Sequence, residues 1–450
     1  MNFPCGWFAT GCLSIGMALC VVPAAAATSS AALARALQEA DKTEQDVIAW
    51  RRQIHQYPEL SYQEVETAKY VAQVLRKMPG ISVETEIAGT GIKAVLKGGK
   101  PGPVVALRAD MDGLPVEERN TLPFRSQAKA TWRGKEVSVS HACGHDTHVA
   151  MLLGAAKALS AMREELPGTV VFLFQPAEEW GPDQKPSGAK AMIEANVLNN
   201  PKVDVVFGQH ISARAPAGTI GYRAGPMMAS GDRFEITLQG AGGHGSEPWS
   251  TNSALVPAAE LTMALQGITS SLIRQDSGFT VMSIGLLQSG LRPNVLPSTA
   301  ELAGTIRSFS VKNQQIVHES IRQRTKHIAQ AYGVGSSVSI YTGYEIVDND
   351  RATTAALVPA WQQAAGADKV IEIPAATGSE DFGAYGTSGN IPSVFWFLNA
   401  SPFDDRDGAP NHSSEFAIDE KSLGVGVRAL VAATLQYMKH QQTPPARSSR

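Results

Sequence analysis

Cysteine is scarce in this chain. There are four in 450 residues, and three of them, Cys5, Cys12 and Cys20, lie at the N-terminus. Once that stretch is removed Cys143 stands alone, which excludes an internal disulfide. Charge is sparse as well: 18% of residues are charged and the net charge is -3. No basic run interrupts the chain, so the electrostatic footprint of a nucleic-acid binder is missing, and nothing marks a membrane-surface face. No internal repeat is visible. Only one long apolar run occurs, "CGWFATGCLSIGMALCVVPAAAATSS" at the N-terminus. It reads as a secretory signal over residues 1–27, cleaved near Ala25–Ala27, although its basic n-region is missing. The rival is an uncleaved anchor from Pro4 to Ala27. Pro23 and the alanines after it break the run and favour cleavage. Leu19 is a poor residue to precede a lipidated Cys20. The mature protein is therefore expected to be exported, periplasmic or secreted, with no membrane attachment after signal removal.

What is present suits a globular protein with a sizeable core: 43% of the residues are hydrophobic, and the length suggests two domains, one inserted in the other. The stretch 28–42 reads as an Ala-rich linker running into a helix. Two helices follow, broken at "YPELS". "GIKAVLKGG" and "PVVALRADMD" read as short strands around a "GGKPGP" turn. "DTHVAMLLGAAKALSAM" predicts a strongly apolar helix with Asp146 as its N-cap. "GTVVFLFQPAEE" and "VDVVFGQH" are continuous apolar runs, the pattern of buried parallel strands. From Gly225 to Tyr341 the strands alternate instead, as in "GDRFEITLQG" and "STAELAGTIRSF", and strand-helix-strand-strand-helix order predicts a small α+β unit with one solvated sheet face. The first texture then returns until His440, and a polar tail, 441–450, is expected to be disordered. The reading is an α/β fold: a mainly parallel-sheet domain over 28–224 and 342–440, with a smaller α+β domain, 225–341, inserted in it.

The chemistry-bearing residues cluster where strands end. Asp110 and Asp112 close "VVALRAD", Glu178 and Glu179 close "TVVFLFQPAEE", and His210 closes "VDVVFGQH". Cys143 and His145 sit in "HACGHDTH", just before the apolar helix, and His412 in the loop "GAPNHSSEF". Functional groups of open parallel sheets gather beyond the carboxyl ends of the strands. Thiolate, imidazole and carboxylate together suit a divalent ion such as zinc, manganese, cobalt or nickel. Spaced two apart, Cys143 and His145 would share one face of an extended segment. The Glu178–Glu179 doublet suits a division of labour, one carboxylate on the metal and its neighbour taking a proton from the attacking water.

In order along nearly the whole mature chain occur "RADMDGLPVEE", "HACGHDTH", "QPAEE", "GQH", "GGHGSEP", "NVLPSTAELAGTIR", "GSEDF" and "NHSSEF". This series resembles the metal-dependent aminoacylase and carboxypeptidase G superfamily, within it the amidohydrolase branch of hippurate hydrolases and auxin–amino acid conjugate hydrolases. The resemblance implies two divalent ions held by Cys143, His145, Glu179, His210 and His412. It implies Glu178 as the general base and acid, and Asp112 as the carboxylate that orients a ligand. The 225–341 unit would be a lid and dimerisation domain of a homodimer. His244 would polarise the scissile carbonyl, reaching into the partner subunit's site. Asn294 and Arg307 would grip a small-molecule amide substrate, Arg307 through a carboxylate, with Glu380 a supporting carboxylate nearby. Trp249 and the stretch after it depart from the branch, where another His and an Asp before Pro are usual; this bears on acyl specificity. Two rival readings stand beside this one. Cys143 could be a covalent nucleophile with His145 or His141 as base, or the chain could be a metal-stabilised binding protein without turnover.

Overall fold

The computed structural model describes residues 24–179, 185–274, 276–404 and 406–442. Residues 1–23 of the expected signal and 443–450 of the expected tail lie outside them. Among the described residues no helix is long and apolar enough to cross a membrane.

An eight-stranded sheet forms the larger layer. In spatial order its strands are Ile81–Ile87, Gly91–Lys97, Pro167–Gln175, Lys100–Asp110, Val205–Ser212, Ser393–Asn399, Ile220–Tyr222 and Val370–Glu372. The four central strands are mutually parallel. Antiparallel pairs join them to the strands on either side. The central strands are buried on both faces, which is why they read as unbroken apolar runs. On one face lie helices Glu44–Gln56, His145–Ala161 and Ser422–Gln442, sealing a core that contains Val149, Phe207, Trp361 and Trp396. His145–Ala161 is buried on nearly every side; an all-apolar helix has no solvent face to keep and becomes the centre of its layer.

The inserted unit is a four-stranded antiparallel sheet ordered Thr280–Ser289, Thr299–Ser308, Gly231–Gln239 and Gly335–Tyr344. Thr299–Ser308 alternates buried and outward residues along its length, the period that one covered face requires. Helices Leu255–Gln266 and Val311–Ala331 cover that face, with Phe234, Leu261, Leu302 and Val317 in the core between. The α/β class, the mainly parallel central sheet and the extra antiparallel sheet are as the sequence pattern indicates.

Two local expectations fail. The Ala-rich segment is not a linker: Ala24–Asp41 is a continuous helix, in keeping with alanine's high helix propensity. Asp146 is not an N-cap. Gly144 takes that position, and Asp146 lies in the first turn, where it accepts from Arg51 Nε at 2.7 Å and pairs with His55 Nδ1 at 2.9 Å.

Candidate active site

The parallel strands end on one side of the sheet, and the loops beyond them carry the site. In "HACGHDTH" the chain turns sharply rather than running extended. Gly144 has φ +90°, and a Cβ there would stand 2.2 Å from Ile211 Cγ2. Only glycine fits both the left-handed backbone and the close approach. The turn still brings Cys143 and His145 together, and with them His210, which closes the strand Val205–Ser212.

Cys143 Sγ lies 3.3 Å from His210 Nε2 and 3.3 Å from His412 Nε2. His210 Nδ1 donates to Ile211 O at 2.6 Å, which leaves the Nε2 lone pair facing the thiol. Burial, reinforced by His148, holds His210 well below its ordinary range, so the ring is neutral. His412 is held in a left-handed backbone, φ +69°, and its N–H donates to Ala142 O at 2.8 Å. Its Nε2 also lies 3.0 Å from Glu179 Oε1. Burial, then the carboxylates of Glu179 and Glu178, push the Cys143 thiol far above the usual thiol range. That opposes a cysteine nucleophile, which needs a depressed pKa.

Asp112 organises the other wall. Its carboxylate accepts the amides of Glu178 and Glu179, each at 3.0 Å, and the Ser61 hydroxyl at 2.6 Å. His145 Nδ1 stands 3.3 Å from the same carboxylate. The turn before the doublet is strained, with Ala177 at φ +50°, and the buried Glu64 fixes it by accepting Ala177 N–H at 2.8 Å. Burial and the nearby Asp112 push Glu64 up to about 8. Tyr344, at the end of the inserted sheet, donates its hydroxyl to the Glu178 carbonyl. Burial, then Glu380, Glu179 and Asp381, drive the Glu178 carboxyl well above the carboxylate range.

This cluster calls for positive charge. His145 Nε2 is buried with no hydrogen-bond partner, yet oxygens of Asp110, Glu178 and Glu179 stand 3.7 to 3.9 Å away. Burial would lower His145, but Asp110, Asp112 and Glu179 override it and hold it at about 10. Ligand atoms about 2 Å from one ion stand roughly 3–4 Å from each other, the spacing found here. Glu179 Oε1 is likewise buried without a well-aligned hydrogen bond. Donor types, orphaned atoms and spacing all fit a divalent metal.

A cavity of about 880 Å³ opens over the cluster, lined among others by Cys143, Glu178, His412, Arg307 and Glu380, within the size range of small-molecule sites. His244 and Asn294 do not line it. They sit together elsewhere on the inserted unit: His244 pairs in register with Val295, and Gly245 N–H donates to Asn294 O at 2.9 Å.

Sequence reasoning missed three groups. Arg108 is buried and binds Gln175, Asp110, Glu380 and Asp381 at 2.7 to 3.0 Å; the signal was a lone cation inside an apolar strand. Glu64 and Tyr344 gave no signal of their own. His148 uses both ring nitrogens, donating to Asp110 at 2.5 Å and accepting from Ile211 N–H at 2.8 Å, so it locks His210's strand to the helix. His141 is buried with neither ring nitrogen hydrogen-bonded, and burial lowers it to about 4.

Comparison with known proteins bears on this geometry. The family model described as peptidase family M20/M25/M40 matches residues 106–436. The chain belongs to this family. Thermostable carboxypeptidase 1 of Saccharolobus solfataricus is 39% identical over 395 residues, 87% of this chain and 95% of that one. The N-acyl-L-amino acid amidohydrolase of Geobacillus stearothermophilus is 40% identical over 309 residues, 69% of this chain and 79% of that one. A crystal structure described as a dinuclear metal-binding peptidase of the M20 family, from Bacillus subtilis, superposes with a TM-score of 0.72 at 33% identity, covering 88% of this chain and 99% of that one. This M20-family chain is a metal-dependent amide hydrolase, and the cavity above the cysteine–histidine–carboxylate cluster is where its metal chemistry fits.

Proposed function

We propose that the chain is an exported, dinuclear amidohydrolase that cleaves N-acyl amino acids, with acetyl, benzoyl or indole-acyl groups, or small dipeptide-like substrates. One observation carries this reading. Cys143 Sγ lies between two imidazole Nε2 atoms, and the orphaned His145 Nε2 and Glu179 Oε1 belong to groups of donors within 4.8 Å of one another. Cys143, His145, Glu179, His210 and His412 would hold two ions, zinc, manganese, cobalt or nickel. Bound, these supply Lewis-acid polarisation of the carbonyl and a water of lowered pKa. Glu178 takes the proton of the attacking water and hands it to the amide nitrogen as the C–N bond breaks. Asp112 holds the Glu178–Glu179 backbone and His145 in place for that step. Arg307 grips the substrate carboxylate from the cavity wall, and Glu380, bonded to Arg108, supports the wall behind Glu178.

Thorough chelation is expected to lower amide turnover by roughly two orders of magnitude or more, with recovery on adding zinc, manganese, cobalt or nickel. Turnover untouched by chelation ends the metal mechanism. A panel of N-acetyl, N-benzoyl and indole-acyl amino acids on the reconstituted protein reads the substrate range. Processing of 1–27 and the exported location are read by N-terminal sequencing of the protein recovered from cell fractions.

The reading includes a homodimer built on the inserted unit, 225–341. Thr280–Ser289 is an edge strand and exposes Leu286 and Leu287; helix Leu255–Gln266 exposes Val256 and, at 76%, Met263. An apolar edge next to an apolar helix face is a pairing surface. His244 and Asn294, exposed on that unit and away from this chain's own cavity, would complete the site of the partner subunit, His244 as the oxyanion donor. A Leu287→Lys variant is expected to run as a monomer in light scattering and to lose turnover with the dimer. A dimer that survives this change places the interface elsewhere.

A further inference from the structure

Among the residues lining the cavity are two guanidiniums, one from each unit. Arg307 comes from the inserted sheet, and among the described residues its guanidinium hydrogen-bonds only the carbonyl of its neighbour Ile306. Arg214 lies four residues after His210, in the loop that follows the strand Val205–Ser212. Among the described residues the Arg214 guanidinium has no ion pair or hydrogen bond; its backbone N–H donates to Ser212 Oγ. Yet the loop beneath it is fixed. Ala400 N–H donates to Ser212 O and Gly408 N–H to Ala213 O, both at 2.7 Å. Asp407, in a neighbouring loop, accepts Ala215 N–H at 3.0 Å. A cation on a fixed backbone that lines the cavity and has no anionic partner among the described residues can take an anion brought by the ligand.

The placement says which half of the ligand carries it. Glu178 is bound by Tyr344, and Ser308, next to Arg307, donates its N–H to Ser230 at the root of the inserted sheet. The inserted sheet thus both touches the backbone of the proton donor, through Tyr344, and carries Arg307, the grip for the amino-acid carboxylate. Arg214 shares a second wall with His210, Asn411 and His412: Asn411 Nδ2 donates to Cys143 O at 2.9 Å and Ile211 O at 3.2 Å. A substrate whose nitrogen faces Glu178 and whose carbonyl lies over the donor cluster extends its acyl chain toward that second wall.

We propose that Arg214 is a specificity residue that holds an anionic end of the acyl group, so that the preferred substrates are amino acids acylated by one carboxyl of a short dicarboxylic acid. This rests on the cleavage of N-acyl amino acids proposed above. Water's oxygen goes to the acyl carbon, its proton to the departing nitrogen, and the products are the dicarboxylate and the amino acid.

The test compares N-succinyl-leucine with N-butyryl-leucine on the metal-reconstituted full chain. The succinyl amide is expected to have the higher kcat/KM by about tenfold, the size of one partly exposed charge-assisted contact. In Arg214→Met that ratio is expected to fall to near one, and in Arg214→Glu the preference is expected to turn to the 4-aminobutyryl amide. Equal rates for the two amides in the unaltered protein, or a ratio that Arg214→Met leaves in place, overturn the proposal. A preference for N-acetylglutamate over N-acetylglutamine that Arg214→Met abolishes also overturns it, because the anion would then belong to the amino-acid half. Failure to cleave any amide sinks the proposed function itself, whereas cleavage of the butyryl amide alone sinks only the role of Arg214.

Discussion

A Glu178→Gln variant is expected to keep its metal and its melting temperature while kcat falls by roughly three orders of magnitude, within the usual range for removing a positioned general base. Glutamine keeps the shape of the side chain, its amide oxygen can still accept the Asp381 N–H that Glu178 Oε1 accepts at 3.4 Å, and the two shorter contacts that place this residue are made by its backbone. Its N–H donates to Asp112 and its carbonyl accepts from Tyr344; neither contact uses the carboxylate. What the change removes is the group that accepts a proton. KM is expected to change little, since the proposed carboxylate grip lies at Arg307. Burial and the surrounding carboxylates drive Glu178 upward, so an ionised base there depends on positive charge in the cluster. The companion variant separates the two members of the doublet. Glu179→Gln is expected to lose metal as well as turnover, because Glu179 Oε1 faces His412 Nε2 across the donor cluster. Metal analysis beside initial rates reads both. Full turnover by metal-loaded Glu178→Gln removes this residue from the base role.

Much of this arrangement was legible in the sequence because it is local. Strand ends are marked by apolar runs that stop at a carboxylate or an imidazole, as at Asp110, Glu178 and His210. The change from solid to alternating strands marked the inserted unit, because one sheet is covered on both faces and the other on one. What was not legible is long-range. Arg108 meets Glu380 and Asp381 across more than 270 positions. Glu64 reaches Ala177 across 113. No spacing rule connects such residues. Asp146 looked like a cap because the reading stopped at the helix; the carboxylate is used instead by Arg51, 95 residues earlier. His148, one turn into an apolar helix, reads from the sequence either as a residue behind the ligands or as a core-facing one, and Asp110 and Ile211 on either side of it give it the first role. His244 and Asn294 are adjacent in space, on a surface that single-chain geometry leaves apart from the cavity.

Arg108 carries the largest expected effect on stability. Its guanidinium is fully buried and faces Asp110, Glu380 and Asp381 at 2.7 to 3.0 Å. Replacing it with methionine leaves three buried carboxylates without their cation, and removing one partner of a buried ionic cluster costs roughly 3–5 kcal/mol. The pH dependence fixes the cause. Burial raises Asp110, but Arg108 with His145 and His148 holds it well below its ordinary range. Stability from a depressed carboxylate is present above its unfolded pKa and is lost as pH falls through the folded value. Glu380 lies on the other side: burial raises it to about 8 even though Arg108 pulls it down. Without Arg108 it rises further, and the added penalty for ionising it appears as pH climbs above 8. Both effects have one sign, so the deficit of Arg108→Met should already be present at pH 5, shrink only in acid below the ordinary carboxylate range, and grow further above pH 8. A pure packing defect would be flat with pH. A double variant that adds Glu380→Gln should recover part of the loss, because it removes one of the unpaired charges. Denaturant unfolding of the four proteins of that cycle at pH 5 and pH 8.5 is the measurement. Additive losses that do not vary with pH would show that the guanidinium fills space beneath the site and does not balance its charge.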